Sequence, residues 1–214
     1  MIYCMADIHG EVDRYHQMLE VINFSDNDTL YIIGDVIDRF PGGIELLKEI
    51  MDKSNIKLIL GNHEHMMLDV LGPYSLYCSK SMWLANGGEH TYNEWVYMTD
   101  PQVKDQILKY LLAVPDHLDI EVNGRKFHLV HGCPGDNTNN RVWERPLNLG
   151  KAPFDDRMVI LGHTPTCHLI DDFVSEARII HGPGYIDIDC GCGHKIPGKK
   201  LACLRLDDMA EFYV

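Results

Sequence analysis

The sequence predicts an α/β fold, and three observations carry that expectation. Short β-branched and aromatic runs alternate with segments of helical periodicity. Five of the apolar runs stop at Asp, His or Asn, usually beside a glycine. The composition, 45% hydrophobic and 24% charged over 214 residues, is that of an ordinary globular chain able to bury a sizeable core.

The elements can be justified in chain order. "IYCMA" is a short apolar run, after which Val12, Tyr15, Leu19 and Ile22 recur at helical spacing. "TLYII" reads as a strand and leads to Ile44, Leu47, Ile50 and Met51 on one helical face. "IKLIL" is a third strand, succeeded by a helix marked by Met67, Val70 and Leu71. Strand and helix in strict alternation imply parallel pairing with helices on the faces. From about Pro73 to Asp116 the pattern is helical and aromatic, with Tyr74, Tyr77, Trp83, Tyr92, Trp95 and Tyr97 read as packing residues. "LDIEV", "RKFHLV", "MVIL", "RIIHG", "YIDID" and "KLACLRL" then read as strands, with Asn123-Gly124 as a hairpin turn. Residues 132–157 show little periodicity and are expected to form a substrate-binding loop. Without repeats or linkers, residues 1–214 are expected to make one domain.

A net charge of −13 argues against sequence-blind nucleic-acid binding, which needs basic patches. It leaves room for a phosphorylated ligand, because bound cations invert the local field. No run approaches the roughly 20 apolar residues of a membrane helix, and no export signal opens the chain, so a cytoplasmic location is expected. Seven cysteines without regular spacing predict reduced thiols. Cys190, Cys192 and His194 in "DCGCGH" lack the Cys-x-x-Cys spacing of a zinc site and read as small residues near a strand end.

The main chemical signal lies at the residues just past the strands. Asp7 and His9 come after the first, and Gly34, Asp35, Asp38 and Arg39 after the second. Gly61, Asn62, His63 and Glu64 come after the third, and His131-Gly132 and Gly162-His163-Thr164 after two later runs. Ligands bind at the carboxyl ends of strands in α/β sheets. Acids and imidazoles gathered there are costly unless a cation binds them. Asp7, His9, Asp35, Asn62, His131 and His163 offer oxygen and nitrogen but no thiolate, a set suited to Mn²⁺, Fe or Zn²⁺. Six ligands suit two ions that share a carboxylate roughly 3.5–4 Å apart.

In this order "DIHG", "GDVIDR", "GNHE", "HG" and "GHTP" resemble the calcineurin-like metallophosphoesterases, above all the bacterial and phage serine/threonine protein phosphatases of the phosphoprotein phosphatase family. The motifs run from Asp7 to Pro165, and the tail "YIDIDCGCGHKIPGKKLACLRLD" resembles that family's closing strands. The resemblance implies a sandwich of two mixed β-sheets flanked by helices. It implies a first ion, most simply Mn²⁺, on Asp7 and His9, a second on Asn62, His131 and His163, and Asp35 bridging both. Arg39 would grip the phosphoryl group, and His63, paired with Asp38, would act as general acid while a hydroxide between the ions attacks phosphorus. Of the two arginines in "RVWERP", Arg145 matches a second phosphate-binding arginine better than Arg141. "WLANGGEHTYNEW" resembles a segment near the substrate cleft and is assigned no chemistry.

The implied activity is hydrolysis of phosphoserine or phosphothreonine in a protein partner, with oligomeric state left open. One alternative is dinucleoside polyphosphate hydrolysis, whose relatives typically carry alanine where Asp38 stands. An RNA-end phosphatase and a non-catalytic scaffold are further alternatives, disfavoured by the acidic charge and by the intact ligand set. Phe40 and "HGCPGD" depart from the family pattern without touching a proposed ligand. Cys133 is expected to be a buried, inert thiol. His16, His65, His90, His117, His128, His168 and His194 are expected to be structural, with His181 open between the two roles.

Overall fold

The computed structural model describes residues 1–73, 78–146, 152–170 and 175–214. Tyr74 and Tyr77 of the aromatic run, and residues 147–151 of the expected loop, lie outside the described residues.

The alternation builds as expected at the start of the chain. Strand β1 (Ile2–Met5), helix α1 (Val12–Val21), β2 (Thr29–Ile33), α2 (Gly43–Asp52), β3 (Ile56–Ile59) and α3 (Asn62–Leu71) succeed one another. The helical region then comprises α4 (Lys80–Trp83), α5 (Glu89–Asn93) and α6 (Pro101–Ala113), with a kink at Gly87 (φ 99°) between α4 and α5 and a π-helical turn over Glu94–Met98. Helix α6 begins at Asp100, whose carboxylate accepts from Gln102 N, with Pro101 at the first position, where no amide hydrogen is needed.

Strands β4 (His117–Val122) and β5 (Arg125–Val130), helix α7 (Thr138–Trp143), β6 (Met158–Leu161) and α8 (Thr166–Ile170) come next. Strands β7 (Ile180–Gly182), β8 (Tyr185–Asp187), β9 (Ala202–Arg205) and β10 (Ala210–Tyr213) complete the order. Two elements differ from expectation. Helix α7 stands inside the stretch read as loop, capped by Asn137 Oδ1 accepting from Asn140 N. Strand β10 pairs antiparallel with β9 as an edge strand whose four residues carry little pattern of their own.

Two mixed five-stranded sheets result, ordered β10-β9-β1-β2-β3 and β4-β5-β6-β8-β7. The parallel pairing expected from the alternation holds for β1-β2-β3, and β5-β6-β8 are parallel as well. Side chains alternate across β1. Tyr3 and Met5 join Leu30, Ile32 and Leu58 against Tyr15, Met18, Leu46, Leu47 and Ile107 of the helices. Cys4 and Ala6 face the other way and join Ile33, Ile59 and Leu204 against Phe127, Leu129, Ile160 and Ile186 of the second sheet. Two sheets thus pack face to face with helices outside them, the sandwich that the motifs implied. This layering aims the carboxyl ends of β1, β2, β3, β5 and β6 at one edge.

Candidate active site

The turns after β1 and β2 run side by side. Asp7 N donates to Gly34 O (3.2 Å), His9 N to Asp35 O (2.9 Å) and Gly10 N to Val36 O (2.7 Å). Glu64, buried at the start of α3, ties this pair to the β3 turn. Its Oε2 accepts from Asp35 N (2.8 Å) and Gly61 N (3.1 Å), and its Oε1 from Val36 N (2.8 Å) and Ile37 N (3.3 Å). Gly61 must be glycine here, because a Cβ would lie 2.3 Å from Asp35 Oδ1. Of the nine non-glycine residues with positive φ among those described, six are Asp7, His9, Asp35, Asp38, Arg39 and His163. Such conformations cost about 1 kcal/mol or more each and cluster where a structure is over-determined for function.

Asp35 is the hub. Its Oδ2 lies 3.5 Å from His9 Nε2, 3.3 Å from His131 Nε2 and 3.8 Å from His63 Nε2. Asp7 Oδ1 is 3.8 Å from His9 Nε2, and Asn62 Oδ1 is 3.0 Å from His131 Nε2. His163 N donates to Asp7 Oδ2 (3.0 Å), which joins β6 to β1 across the two sheets. The rings are oriented from behind. His9 Nδ1 donates to Ile37 O and His131 Nδ1 to Ile33 O, both at 2.8 Å, leaving each Nε2 facing inward. His163 Nε2 is 3.2 Å from Trp143 O, so its Nδ1 is the nitrogen left for the site.

This donor set fits a pair of cations. Among the described residues, His9, Asp35 and His63 form one group with ligand atoms within 4.8 Å of one another, and Asp35, His131 and His163 form a second. The two groups share Asp35. Both His9 Nε2 and Asp35 Oδ2 are buried and make no hydrogen bond, a costly arrangement for protein groups alone. No thiolate takes part, so oxygen- and nitrogen-preferring divalent metals are indicated without selecting one.

The electrostatics agree. Burial pushes the His131 imidazole down, but the Asp35 and Asp7 carboxylates outweigh it and lift it to about 10. Burial raises Asp35, yet His131 and His63 hold it well below the carboxylate range. Asp7 is well above that range through burial and nearby Asp189. Burial and Arg39 hold His9 well below its usual value, and burial and His131 push His163 down to about 3.

Beside this hub lies an acid–base pair. His63 Nδ1 is 2.7 Å from Asp38 Oδ2, which also accepts from Trp83 Nε1 at 2.7 Å. His63 Nε2 faces Arg39 Nη2 at 3.3 Å. The segment "WLANGGEHTYNEW" clamps this turn. Trp83 holds the Asp38 carboxylate, Thr91 Oγ1 accepts from Asp38 N (2.9 Å), and Gly87 O accepts from Arg39 N (2.9 Å). Its Glu94 also accepts from Gly42 N and Ile44 N. Gly87 takes a left-handed φ of 99°, which kinks the helical segment here and turns its carbonyl toward Arg39. Arg145 Nη1 approaches Thr164 Oγ1 (3.5 Å) next to His163, whereas Arg141 is tied to Asp116 (3.1 Å).

Sequence reasoning missed four contributors. Glu64 has a brace's role that the motif alone does not reveal, although a Glu three residues after the N-cap is a helix-start signature. Trp83 is core packing, as expected, but its indole N–H also orients Asp38. Thr91 carried no signal. His194, expected to be structural, stands 2.6 Å from Arg39 Nη1, a contact that no local pattern announced. His181 pairs with Glu211 at the surface, and His16, His117 and His128 pair with Glu49, Asp116 and Asp119. Cys133, Cys190 and Cys192 are buried, and burial lifts the first and last thiols to about 12.

Known proteins resemble this chain in sequence or fold. Symmetrical bis(5'-nucleosyl)-tetraphosphatases of several Salmonella strains are 35% identical over 75 residues, 34% of this chain. The match spans only 27% of the length of those curated relatives. Among solved structures, one provisionally described as a diadenosine tetraphosphatase aligns with TM-score 0.64 and 16% identity, covering 100% of this chain and 92% of that one. A serine/threonine protein phosphatase of Saccharomyces cerevisiae aligns with TM-score 0.57 and 15% identity, covering 100% and 78%. A cold-active protein-tyrosine phosphatase of Shewanella aligns with TM-score 0.56 and 14% identity, covering 99% and 79%. Identities this low speak for the fold alone. The family model of the calcineurin-like phosphoesterases matches residues 1–194, and the chain therefore belongs to that family of metal-dependent phosphoester hydrolases.

Proposed function

We propose that the chain is a phosphomonoesterase acting on phosphoserine or phosphothreonine in proteins. The observation that carries this reading is the Asp38–His63 pair, 2.7 Å apart and held by Trp83. An alkoxide is a poor leaving group and needs a proton as the P–O bond breaks, whereas a nucleotide phosphate leaves without one. A built and oriented acid is therefore most useful against an alkyl phosphoester.

Asp7, His9 and Asp35 would hold one divalent cation, and Asp35, Asn62, His131 and His163 a second. When bound, these ions supply charge for the phosphoryl oxygens and make a water acidic near neutral pH. The remaining work belongs to side chains. Arg39 binds the phosphoryl group through its planar guanidinium, and Arg145 supplies a second positive charge from the side of His163. Water gives up a proton to solvent as its oxygen bonds to phosphorus, the ester P–O bond breaks, and His63 Nε2 gives its proton to the departing oxygen and is reprotonated from solvent. Asp38 receives the His63 Nδ1–H bond, keeps the ring aimed, and stabilises its positive charge. The thiols take no part.

A second reading is dinucleoside polyphosphate hydrolysis, supported by the 35% identity over 75 residues to the Salmonella tetraphosphatases. The two separate in one assay. Purified protein with Mn²⁺ is given a phosphoserine peptide and diadenosine tetraphosphate at equal concentration. Higher kcat/KM on the peptide is expected, and a large preference for the nucleotide reverses the order. Release of phosphate from neither the peptide nor an aryl phosphate rejects the proposal.

A further inference from the structure

The geometry points to His194 as a positioning residue for phosphoryl recognition: its Nε2 accepts from Arg39 Nη1 and fixes one edge of the guanidinium, leaving the other for substrate. The inference rests on the reading of Arg39 as the phosphate clamp.

The contact is built from the backbone upward. Strand β8 ends at Asp187, and the chain passes Asp189 and continues through "CGCGH" to His194. Asp187 Oδ1 accepts from Asp189 N, and Asp189 Oδ1 accepts from Gly191 N, which fixes the path. Gly193 lies flat on the His9 ring, where a Cβ would sit 2.0 Å from Cδ2, so no larger residue fits. The next side chain is thereby delivered to Arg39. His194 N donates to Gly191 O (2.9 Å), and Lys199 Nζ reaches Cys192 O (3.2 Å) and Glu11 Oε1 (2.6 Å). These bonds hold the loop independently of the imidazole's contact with Arg39.

The chemistry of the acceptor matters. Arg39 is fixed at its backbone by Gly87 O, but a guanidinium on a three-carbon stem still has much rotamer freedom to lose on binding phosphate. His194 Nε2, 2.6 Å from Nη1, removes part of that freedom beforehand. Burial and the facing guanidinium push the His194 ring down to about 4, so at neutral pH it presents a lone pair. A carboxylate in this place would orient Arg39 as well, but would also cancel the charge that phosphate seeks. The second edge, Nη2, faces His63 Nε2 at the looser distance of 3.3 Å and is the one a phosphoryl oxygen can take.

The test is a double-mutant cycle on the full chain with Mn²⁺, using p-nitrophenyl phosphate as substrate and inorganic phosphate as competitive inhibitor. His194→Phe is expected to raise KM and the phosphate inhibition constant about ten-fold, the worth of one charge-assisted hydrogen bond. His194→Gln, whose amide oxygen can reach the Nε2 position, is expected to stay within about three-fold of the parent. In an Arg39→Ala background His194→Phe is expected to change either constant by less than about two-fold. Equal losses with and without Arg39, or a Gln variant as impaired as Phe, overturn the inference; so does a fully active His194→Phe enzyme beside an impaired Arg39→Ala enzyme. If Arg39→Ala itself changes nothing, the clamp reading fails first. Matching thermal unfolding of the parent and the Gln variant keeps the comparison readable if Phe folds poorly.

Discussion

Replacing Asp38 by Asn tests the acid assignment with the least structural disturbance. The two side chains are isosteric, and Asp38 is fully buried, with Oδ2 receiving both His63 Nδ1 and Trp83 Nε1 at 2.7 Å. The Asn oxygen can keep both bonds, so what disappears is the negative charge beside an imidazole that must be positive to act as an acid. A hydrogen bond to a charged group contributes about 1.5–3 kcal/mol and a neutral one about 0.5–1.5, a difference of about 1–2 kcal/mol. At about 1.4 kcal/mol per decade, kcat on a phosphoserine peptide should fall about 5- to 30-fold. On p-nitrophenyl phosphate, whose leaving group needs little protonation, the loss should stay under about three-fold. His63→Asn, which removes the acid, should cost the peptide reaction about 10²- to 10⁴-fold. Both rates are measured at saturating substrate with bound metal quantified in each variant. Equal losses on the two substrates, or an Asp38→Asn enzyme with parental peptide turnover, would refute the reasoning.

Further expectations concern the metal centre and its frame. Asp35→Asn removes the carboxylate common to both ligand groups and should lower bound metal at both positions together, as read by elemental analysis. Two undisturbed ions would reject the bridge. Glu64→Gln keeps one oxygen for two backbone N–H groups but turns an NH₂ against the other two. The cost should be about 3 kcal/mol, or about 6–12 °C in Tm for a chain of this size; a shift under about 2 °C would contradict the bracing role. Metal binding must displace the proton held on His131, lifted to about 10. That group is protonated below this value, so metal affinity should climb with pH and binding should release protons. Calorimetry in two buffers of different ionisation heat measures this, and an affinity flat between about pH 6 and 8 would contradict it.

The early part of the fold was legible because its signals are local. A residue directly after a parallel strand must lie at the carboxyl edge, so Asp7, Asp35, Asn62, His131 and His163 could be named before any geometry. The reading of Asp38 beside His63 and of Arg145 over Arg141 came from motif order, and their placement needed the structure. Helix α7 was hidden because its six residues, "TNNRVW", owe their helix to the Asn137 cap more than to periodicity. Strand β10 was hidden because its pairing with β9 is the whole of its signal. His194 meets Arg39 across 155 positions of sequence. Trp83 looked like core because it is core, and nothing in an aromatic stripe says where an indole N–H points.

The central claim is that two cations sit side by side on these strand ends with Asp35 between them. Anomalous diffraction at the manganese edge, from crystals grown with excess Mn²⁺, measures this directly. The account predicts two peaks about 3.5–4 Å apart, both within bonding distance of Asp35. A single peak, or manganese bound away from Asp7, His9, Asn62, His131 and His163, would contradict it.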